Sequence, residues 1–247
     1  MLAVGATDTG RVRSQNQDVI FFSATPVGPL PNLFIVADGM GGHSGGEIAS
    51  HEATTHFAEI IKTAQPTEDY LDLLVSAAHA ANKTVYQQSQ NDDALKGMGT
   101  TFTACTIREN KIEIIHVGDT RIYALAPGRI TQLTNDHTYV GEMLKSGELN
   151  EAQAREHPQG HVLMRALGFD EHLEADGYAH DLADTAHILL CSDGLSNMLT
   201  NDEIYNIATQ PGDISIRLQK LLDDANEQGG KDNISVILID ISRGEMH

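Results

Sequence analysis

The chain has 247 residues, 40% of them hydrophobic and 21% charged, which is enough to bury a sizeable core in a soluble globular protein. Against 16 Lys and Arg stand 35 Asp and Glu, a formal charge of −19 that repels a phosphate backbone and argues against nucleic-acid binding. No apolar run reaches the ~18–20 residues that span a bilayer, and residues 1–10 lack a signal-peptide pattern, so a cytoplasmic protein without membrane attachment is expected.

Residues 33–37 form a short apolar run ending at Asp38-Gly39 and read as a buried strand. A glycine-rich turn follows, then a helix over about 47–62 whose Ala49, Ala53, Phe57, Ile60 and Ile61 keep helical spacing. A second helix over about 70–89 carries Tyr70, Leu74, Ala77, Ala81 and Val85 on one face. Strands cluster at 101–108, 111–117 and 121–125, with Glu109-Asn110 short enough for a hairpin turn. Residues 138–158 are polar and broken, with short helical pieces. A strand over 188–192 precedes Thr200-Asn-Asp-Glu203, which has the pattern of a capping box. A helix over 215–227 and a strand over 234–241 follow. Cys105 and Cys191 fall in strand-like apolar runs, and buried free thiols are expected. No linker-like stretch divides the chain, which favours one domain. Consecutive strands between early and late helices favour an antiparallel α+β layer fold over a doubly wound sheet.

Four aspartates share one local setting. Asp38, Asp119 and Asp193 each end or follow an apolar strand among small residues, and Asp232 lies just before the last strand. A single Asp-Gly simply turns the chain. Four carboxylates delivered by strand ends to one sheet edge repel one another and need cations. Oxygen ligands without Cys or His favour Mg²⁺ or Mn²⁺ over Zn²⁺. The loop from Gly39 to Gly46 lacks the third glycine of a dinucleotide fingerprint, and no Gly-Lys-Ser/Thr follows it. An Asp directly before the loop suits a cation rather than an anion.

At this point an ordered set of motifs becomes visible. Asp8-Thr-Gly-Arg-Val-Arg13-Ser-Gln-Asn16-Gln-Asp18 and Asp38-Gly-Met-Gly-Gly-His43-Ser-Gly-Gly-Glu47 open it. Gly99-Thr-Thr101, Val117-Gly-Asp119-Thr-Arg121, Leu133-Thr-Asn-Asp136-His137, His157-Pro-Gln and Arg165-Ala-Leu-Gly168 follow. Ser192-Asp193-Gly194 and Gly230-Lys-Asp232-Asn233 complete it. In this order they resemble the PPM, or PP2C-type, metal-dependent protein phosphatases in their compact bacterial form.

The resemblance implies a four-layer α-β-β-α sandwich with two central antiparallel sheets, one catalytic domain over 1–247, and a flap at about 138–160. It implies hydrolysis of phosphoserine and phosphothreonine in proteins by a metal-bridging water, with Mn²⁺ or Mg²⁺ as two core ions and a weaker third. Asp38 would bridge two metals and the Gly39 carbonyl would bind the first; Asp193 and Asp232 would complete the second. Asp18 would act mainly through water, and Asp119 would share a third metal with Asp193. Arg13 would hold the substrate phosphate, for which its planar fork is suited. His43 would assist turnover, donating a proton to the leaving oxygen. Phosphoprotein substrates, a partner Ser/Thr kinase and a monomeric state belong to the same implication.

The remaining histidines carry weaker signals: His116 reads as packed in its strand, and His137 and His157 as structural. Thr120 stands where the family usually has Ser, which keeps a hydroxyl; Gly160 replaces a common basic residue and Met164 a common Thr, beside the flap. Two alternatives remain open to the sequence. One is a non-catalytic phosphoprotein-binding module of the same fold, against which the retained aspartates argue. The other is a phosphatase of small molecules.

Overall fold

Successive residues of a strand face opposite sides of its sheet, and this period of two sorts the apolar residues of this chain into three layers. The computed structural model describes residues 1–42, 45–150, 153–154 and 157–241. In chain order the elements are β1 (Leu2–Asp8), β2 (Asp18–Ser23), β3 (Leu33–Met40), α1 (Gly45–Thr63), α2 (Tyr70–Asn91), β4 (Gly99–Thr100), β5 (Phe102–Arg108), β6 (Lys111–Val117), β7 (Arg121–Ala126) and β8 (Arg129–Gln132). Then come α3 (Tyr139–Lys145), β9 (Asp176–Asp181), β10 (His187–Cys191), α4 (Asp193–Ser196), α5 (Asn201–Ala208), α6 (Ile214–Glu227) and β11 (Ile234–Asp240).

One sheet has the order β1-β11-β10-β7-β8, the other β2-β3-β5-β6-β9 with β4 paired to β3, and neighbouring strands run antiparallel. Leu33, Ile35 and Ala37 of β3 meet Ala53 and Phe57 of α1 and Leu74 and Ala77 of α2. The intervening Phe34 and Val36 face inward with Cys105, Ile114, Ile122, Leu190, Ile237 and Ile239, so this layer lies between the two sheets. On the far side Leu189, Val236 and Leu238 pack on Ile204 of α5 and Leu218 and Leu221 of α6. The result is the helix–sheet–sheet–helix sandwich expected from the sequence.

Local chemistry explains the ends. Thr200 and Glu203 form a reciprocal capping box at the start of α5, and the Asp213 side chain accepts from Ser215 N at the start of α6. Glu109 adopts φ 55° in the two-residue turn joining β5 to β6. Cys105 and Cys191 are buried free thiols.

Two corrections follow. β3 does not stop at Ala37 but runs through Asp38 to Met40, because Gly39 and Met40 pair with Thr100 and Gly99. The sequence leads to no expectation of a strand at β1, β2, β4, β8 or β9. β1 and β9 are half-exposed strands at sheet edges, and β9 reads Asp-Gly-Tyr-Ala-His-Asp, without the apolar run that marks a central strand. No helix among the described residues is long and apolar enough to cross a membrane.

The layering makes a stability prediction. Phe34 is wholly buried between the sheets, whereas Ile216 on α6 is 70% exposed. Phe34→Ala should cost about 3–5 kcal/mol in urea unfolding, while Ile216→Ala stays within about 0.5 kcal/mol. Equal effects would mean that the inter-sheet layer is not the main core.

Candidate active site

The layer between the sheets turns polar at one end. Phe34 and Val36 of β3 point into it, so Asp38, two residues on, points there as well. The same alternation brings Ser192 in after Ile188 and Leu190, and Ser235 in before Ile237 and Ile239. Asp18 of β2 stands directly opposite Asp38 in the antiparallel pair, a like-charge arrangement that is unfavourable without a counter-charge.

Each carboxylate is held by its surroundings. Asp38 N donates to Thr101 Oγ1 at 2.9 Å, and its carbonyl accepts from Thr101 N and Thr100 Oγ1, both at 2.9 Å. Asp18 is buried, and its Oδ2 accepts from Ser192 Oγ at 2.8 Å, which ties one sheet to the other. Asp193 opens α4, with Oδ2 accepting from Asn197 Nδ2 at 2.9 Å. Asp232 lies before β11, and its Oδ2 accepts from Arg13 Nη2 at 2.7 Å. Asp119 follows β6 and is buried. Two residues on, Arg121 Nη2 and Nε grip Asp136 at 2.6 and 3.0 Å.

Asn233 positions the arginine loop. Its Nδ2 donates to the carbonyls of Thr9 and Gln15 at 2.9 Å, and its Oδ1 accepts from Gln17 N at 2.8 Å. Gly39 and Gly46 let β3 and α1 touch, since a Cβ on Gly39 would strike the Gly46 carbonyl.

Asp38, Asp119, Asp193 and Asp232 come together with Arg13 and the Gly39 backbone around a cleft of about 260 Å³. Met40, Thr101, His161, Leu163 and Asn233 also line it. Asp18 is not part of this lining. His43 lies outside the described residues. His116 is wholly buried, as its strand position predicts, and His137 is buried under the loop that carries Asp119. The motifs include Ser192, Asn233 and Met40 without giving them a role, and the sequence singles out none of Asn197, His161 and Leu163. Partners of Asn233 lie up to 224 residues away, and no local pattern announces them.

The carboxylates do not tolerate bare negative charge. Burial pushes the Asp18 carboxyl up to about 7 against hydrogen bonds from Ser235 and Ser192, with Asp193 and Asp232 adding to the rise. Removal from water and then Asp232 push Asp193 up to about 6, while Arg121 opposes. Asp38 is raised well above the ordinary range by loss of water, then by Asp18, Asp193, Asp119 and Asp232. Asp119 is raised likewise by burial and Asp193.

A family model described as protein phosphatase 2C matches residues 9–234. The chain belongs to the protein phosphatase 2C family. It is 36% identical over 242 residues to the serine/threonine phosphatase stp of Listeria welshimeri, covering 95% of this chain and 93% of that protein. It is 34% identical to the protein phosphatase PhpP of Streptococcus pneumoniae, covering 96% of each. The fold superposes on the crystal structure of the serine/threonine phosphatase Stp1 from Staphylococcus aureus with a TM-score of 0.91 at 29% identity, covering 97% of this chain and 94% of that one. For the S. agalactiae serine/threonine phosphatase the TM-score is 0.88 at 36% identity, covering 96% and 98%.

Phosphatases of the 2C family depend on metal, and the residues of this cleft suit that dependence. Asp18 Oδ1 and Asp193 Oδ1 are buried and accept no hydrogen bond among the described residues. No three acidic, His or Cys side chains among the described residues converge into a ready-made cage. Hard divalent cations that keep several waters need only one or two carboxylates each, so a spread acidic cleft fits them better than a tight cage would.

The raised carboxyls fix the sign of a pH effect. Asp18 and Asp193 hold protons in the folded state that the unfolded chain has released, so their contribution is complete below the ordinary carboxylate value and is lost as pH rises through about 6 and about 7. In chelator, Tm should fall on the order of 10 °C between about pH 5 and about pH 8, and Mn²⁺ or Mg²⁺ should restore it at the higher pH. A flat profile by calorimetry would refute raised, buried carboxyls as the source of the effect.

Proposed function

We propose that this chain hydrolyses phosphoserine and phosphothreonine esters of phosphoproteins, with Asp38, the Gly39 carbonyl, Asp193, Asp232 and Asp119 as cation ligands and Asp18 acting through ordered water. The observation that carries the reading is four carboxylates from two sheets around one cleft, with one arginine among its described lining residues. Divalent cations, when bound there, supply charge neutralisation and Lewis acidity toward the phosphoryl group and the attacking water. An all-oxygen donor set supports Mn²⁺ or Mg²⁺, with two core ions and a weaker third.

Arg13 is the phosphate clamp of this reading. Its side chain is 54% exposed, and its partner Asp232 is 33% exposed. An ion pair this accessible is worth at most about 1 kcal/mol, so the guanidinium can exchange Asp232 for a phosphate that offers a bidentate partner. Met40 and Leu163 form apolar wall beside the carboxylates and limit water there. His43 donates the proton to the leaving seryl or threonyl oxygen; its assignment rests on the resemblance alone.

One catalytic domain spans 1–247, and residues 138–160 act as a flap that selects protein substrates. Support comes from Tyr139, Leu144, Val162 and Met164, which are exposed apolar residues at or near a segment closed by the Thr138–Leu163 bridge. A partner Ser/Thr kinase, a monomeric state and a cytoplasmic location complete the reading.

Asp38→Ala or Asp193→Ala should lower kcat/KM toward a phosphopeptide at least about a thousandfold. Tm should stay within a few degrees, because removing one of several repelling carboxylates relieves charge. Near-normal Mn²⁺-dependent turnover in either variant would refute the ligand assignment. Arg13→Ala should raise KM about tenfold or more and lower kcat less, because a group gripping ground-state phosphate contributes largely uniform binding. A steep fall in kcat at constant KM would place Arg13 on the transition state instead.

A further inference from the structure

Among the described residues no other side chain hydrogen-bonds the Asp119 carboxylate, which meets its own backbone N–H; its aim is set by the backbone before it. Gly118 adopts φ +108°, and a Cβ there would lie 2.6 Å from Thr101 Cβ, so the peptide is forced into a conformation that few residues accept. One residue clasps both polar groups of Gly118. Its N–H donates to His137 Nδ1 at 3.2 Å, and its carbonyl accepts from His137 N at 2.7 Å.

That contact dictates the tautomer of His137. Nδ1 is an acceptor, so the proton sits on Nε2 and is donated to Asp176 Oδ2 at 3.2 Å. Asp176 is anchored in turn: Tyr178 OH donates to Oδ2 at 2.7 Å and Arg165 Nη1 to Oδ1 at 3.1 Å. The His116 ring packs against the His137 ring at a tilt of 46°, with centroids 4.7 Å apart. His116 is fixed at both nitrogens, Nε2 donating to the Asn135 carbonyl at 2.9 Å and Nδ1 accepting from Thr103 Oγ1 at 2.8 Å. The Thr103 hydroxyl also meets the Thr120 hydroxyl, on the far side of Asp119. Both flanks of Asp119 are therefore tied to a pair of histidines whose rings meet at a tilt, while no side chain among the described residues donates a hydrogen bond to its carboxylate.

We propose that His137 is a positioning residue for Asp119: by accepting from Gly118 N–H through Nδ1 and donating to Asp176 through Nε2, it holds the Gly118–Asp119 peptide in the one orientation that points the carboxylate into the cleft. The inference rests on the reading of Asp119 as a ligand of the weakest cation, and it assigns to His137 the second-layer role that sets that ligand's direction.

Near-isosteric variants separate the two ends of the ring. His137→Asn can place Oδ1 where Nδ1 accepts from Gly118 but gives up Asp176. His137→Gln can reach Asp176 but leaves Gly118 N–H without its acceptor. His137→Ala removes both. Calorimetric Mn²⁺ titration of these proteins, of Asp119→Ala and of the unsubstituted protein reads the effect directly. The expected result is that His137→Gln and His137→Ala weaken only the weakest binding event, by roughly tenfold, and leave tighter events unchanged. His137→Asn should stay within about threefold of the unsubstituted protein. The KM for Mn²⁺ in phosphopeptide turnover should follow the same order, with kcat recovered at saturating metal. A lower Tm with an unchanged weakest event in His137→Gln would make His137 merely structural and overturn the proposal. Equal weakening in His137→Gln and His137→Asn would overturn it too. The Asn and Gln pair decides the matter even where His137→Ala does not fold. If Asp119→Ala itself leaves the weakest event intact, the ligand reading of Asp119 fails, which is a different result from failure of the His137 role.

Discussion

The site depends on one constraint: several carboxylates are buried away from water and beside one another. Asp18 and Asp38 face each other across one strand pair, and Asp193 and Asp232 approach them from the other sheet. Removal from water and proximity raise several of these groups far above the ordinary carboxylate range. Only Arg13 forms an ion pair with them among the described residues, and it does so at the exposed rim with Asp232. A chain could relax such a cluster by rotating its side chains apart. This one does not, because each acid is held locally: the Asp38 backbone is bonded to Thr100 and Thr101, the Asp193 carbonyl accepts from Asn197 N and its Oδ2 from Asn197 Nδ2, and Asp232 Oδ1 accepts from Asn233 N. The fold holds these carboxyls together, and cations of the kind the family depends on would relieve the cost. Metal binding and folding stability are for that reason the same thermodynamic quantity seen from two sides.

The cleft also explains why two sheets are needed. Asp38 and Asp119 belong to the sheet covered by α1 and α2, and Asp193 and Asp232 to the sheet covered by α5 and α6. Neither sheet alone carries all four carboxylates that line the cleft. Ser192, bonded to Asp18 across the interface and to Ser235 N within its own sheet, fixes how the halves meet. A shift of one sheet against the other would separate these carboxylates without disturbing any strand.

Much of this was legible in the sequence, and what was not has a common cause. Central strands such as Lys111–Val117 carry a run of buried apolar residues that no other element would produce. Edge strands such as β9 alternate polar and apolar residues weakly, and their pairing is decided by a neighbour far along the chain. In the site, aspartates after apolar runs announce themselves because burying a charge at a strand end has no structural motive. Their supports do not. Asn233 looks like one more polar residue in a turn until its amide is seen spanning to Thr9, Gln15 and Gln17. His116 is packed in its strand, as its apolar neighbours indicate, but the tautomers of His116 and His137 depend on Asn135, Gly118 and Asp176, which only the fold brings within reach.

The polar end of the inter-sheet layer shows what the fold gives up to hold this site. Along β3 the inward residues run Phe34, Val36, Asp38; along β6, Ile112, Ile114, His116; along β11, read toward the same end, Ile239, Ile237, Ser235. Continuing each series with an aliphatic residue would add apolar burial worth about 1.5–3 kcal/mol per side chain. In their place stand groups that must each find a hydrogen-bond partner, and they do so by chaining: Thr120 to Thr103, Thr103 to His116, His116 to Asn135. Such a chain tolerates little substitution, because losing one member leaves the next buried and unpaired. Thr120, where the family usually has Ser, keeps the hydroxyl that the chain needs and adds a methyl group in a fully buried position. The departure is conservative in the one respect the surroundings test, hydrogen bonding to Thr103, and so the sequence varies at this position without breaking the support beneath Asp119.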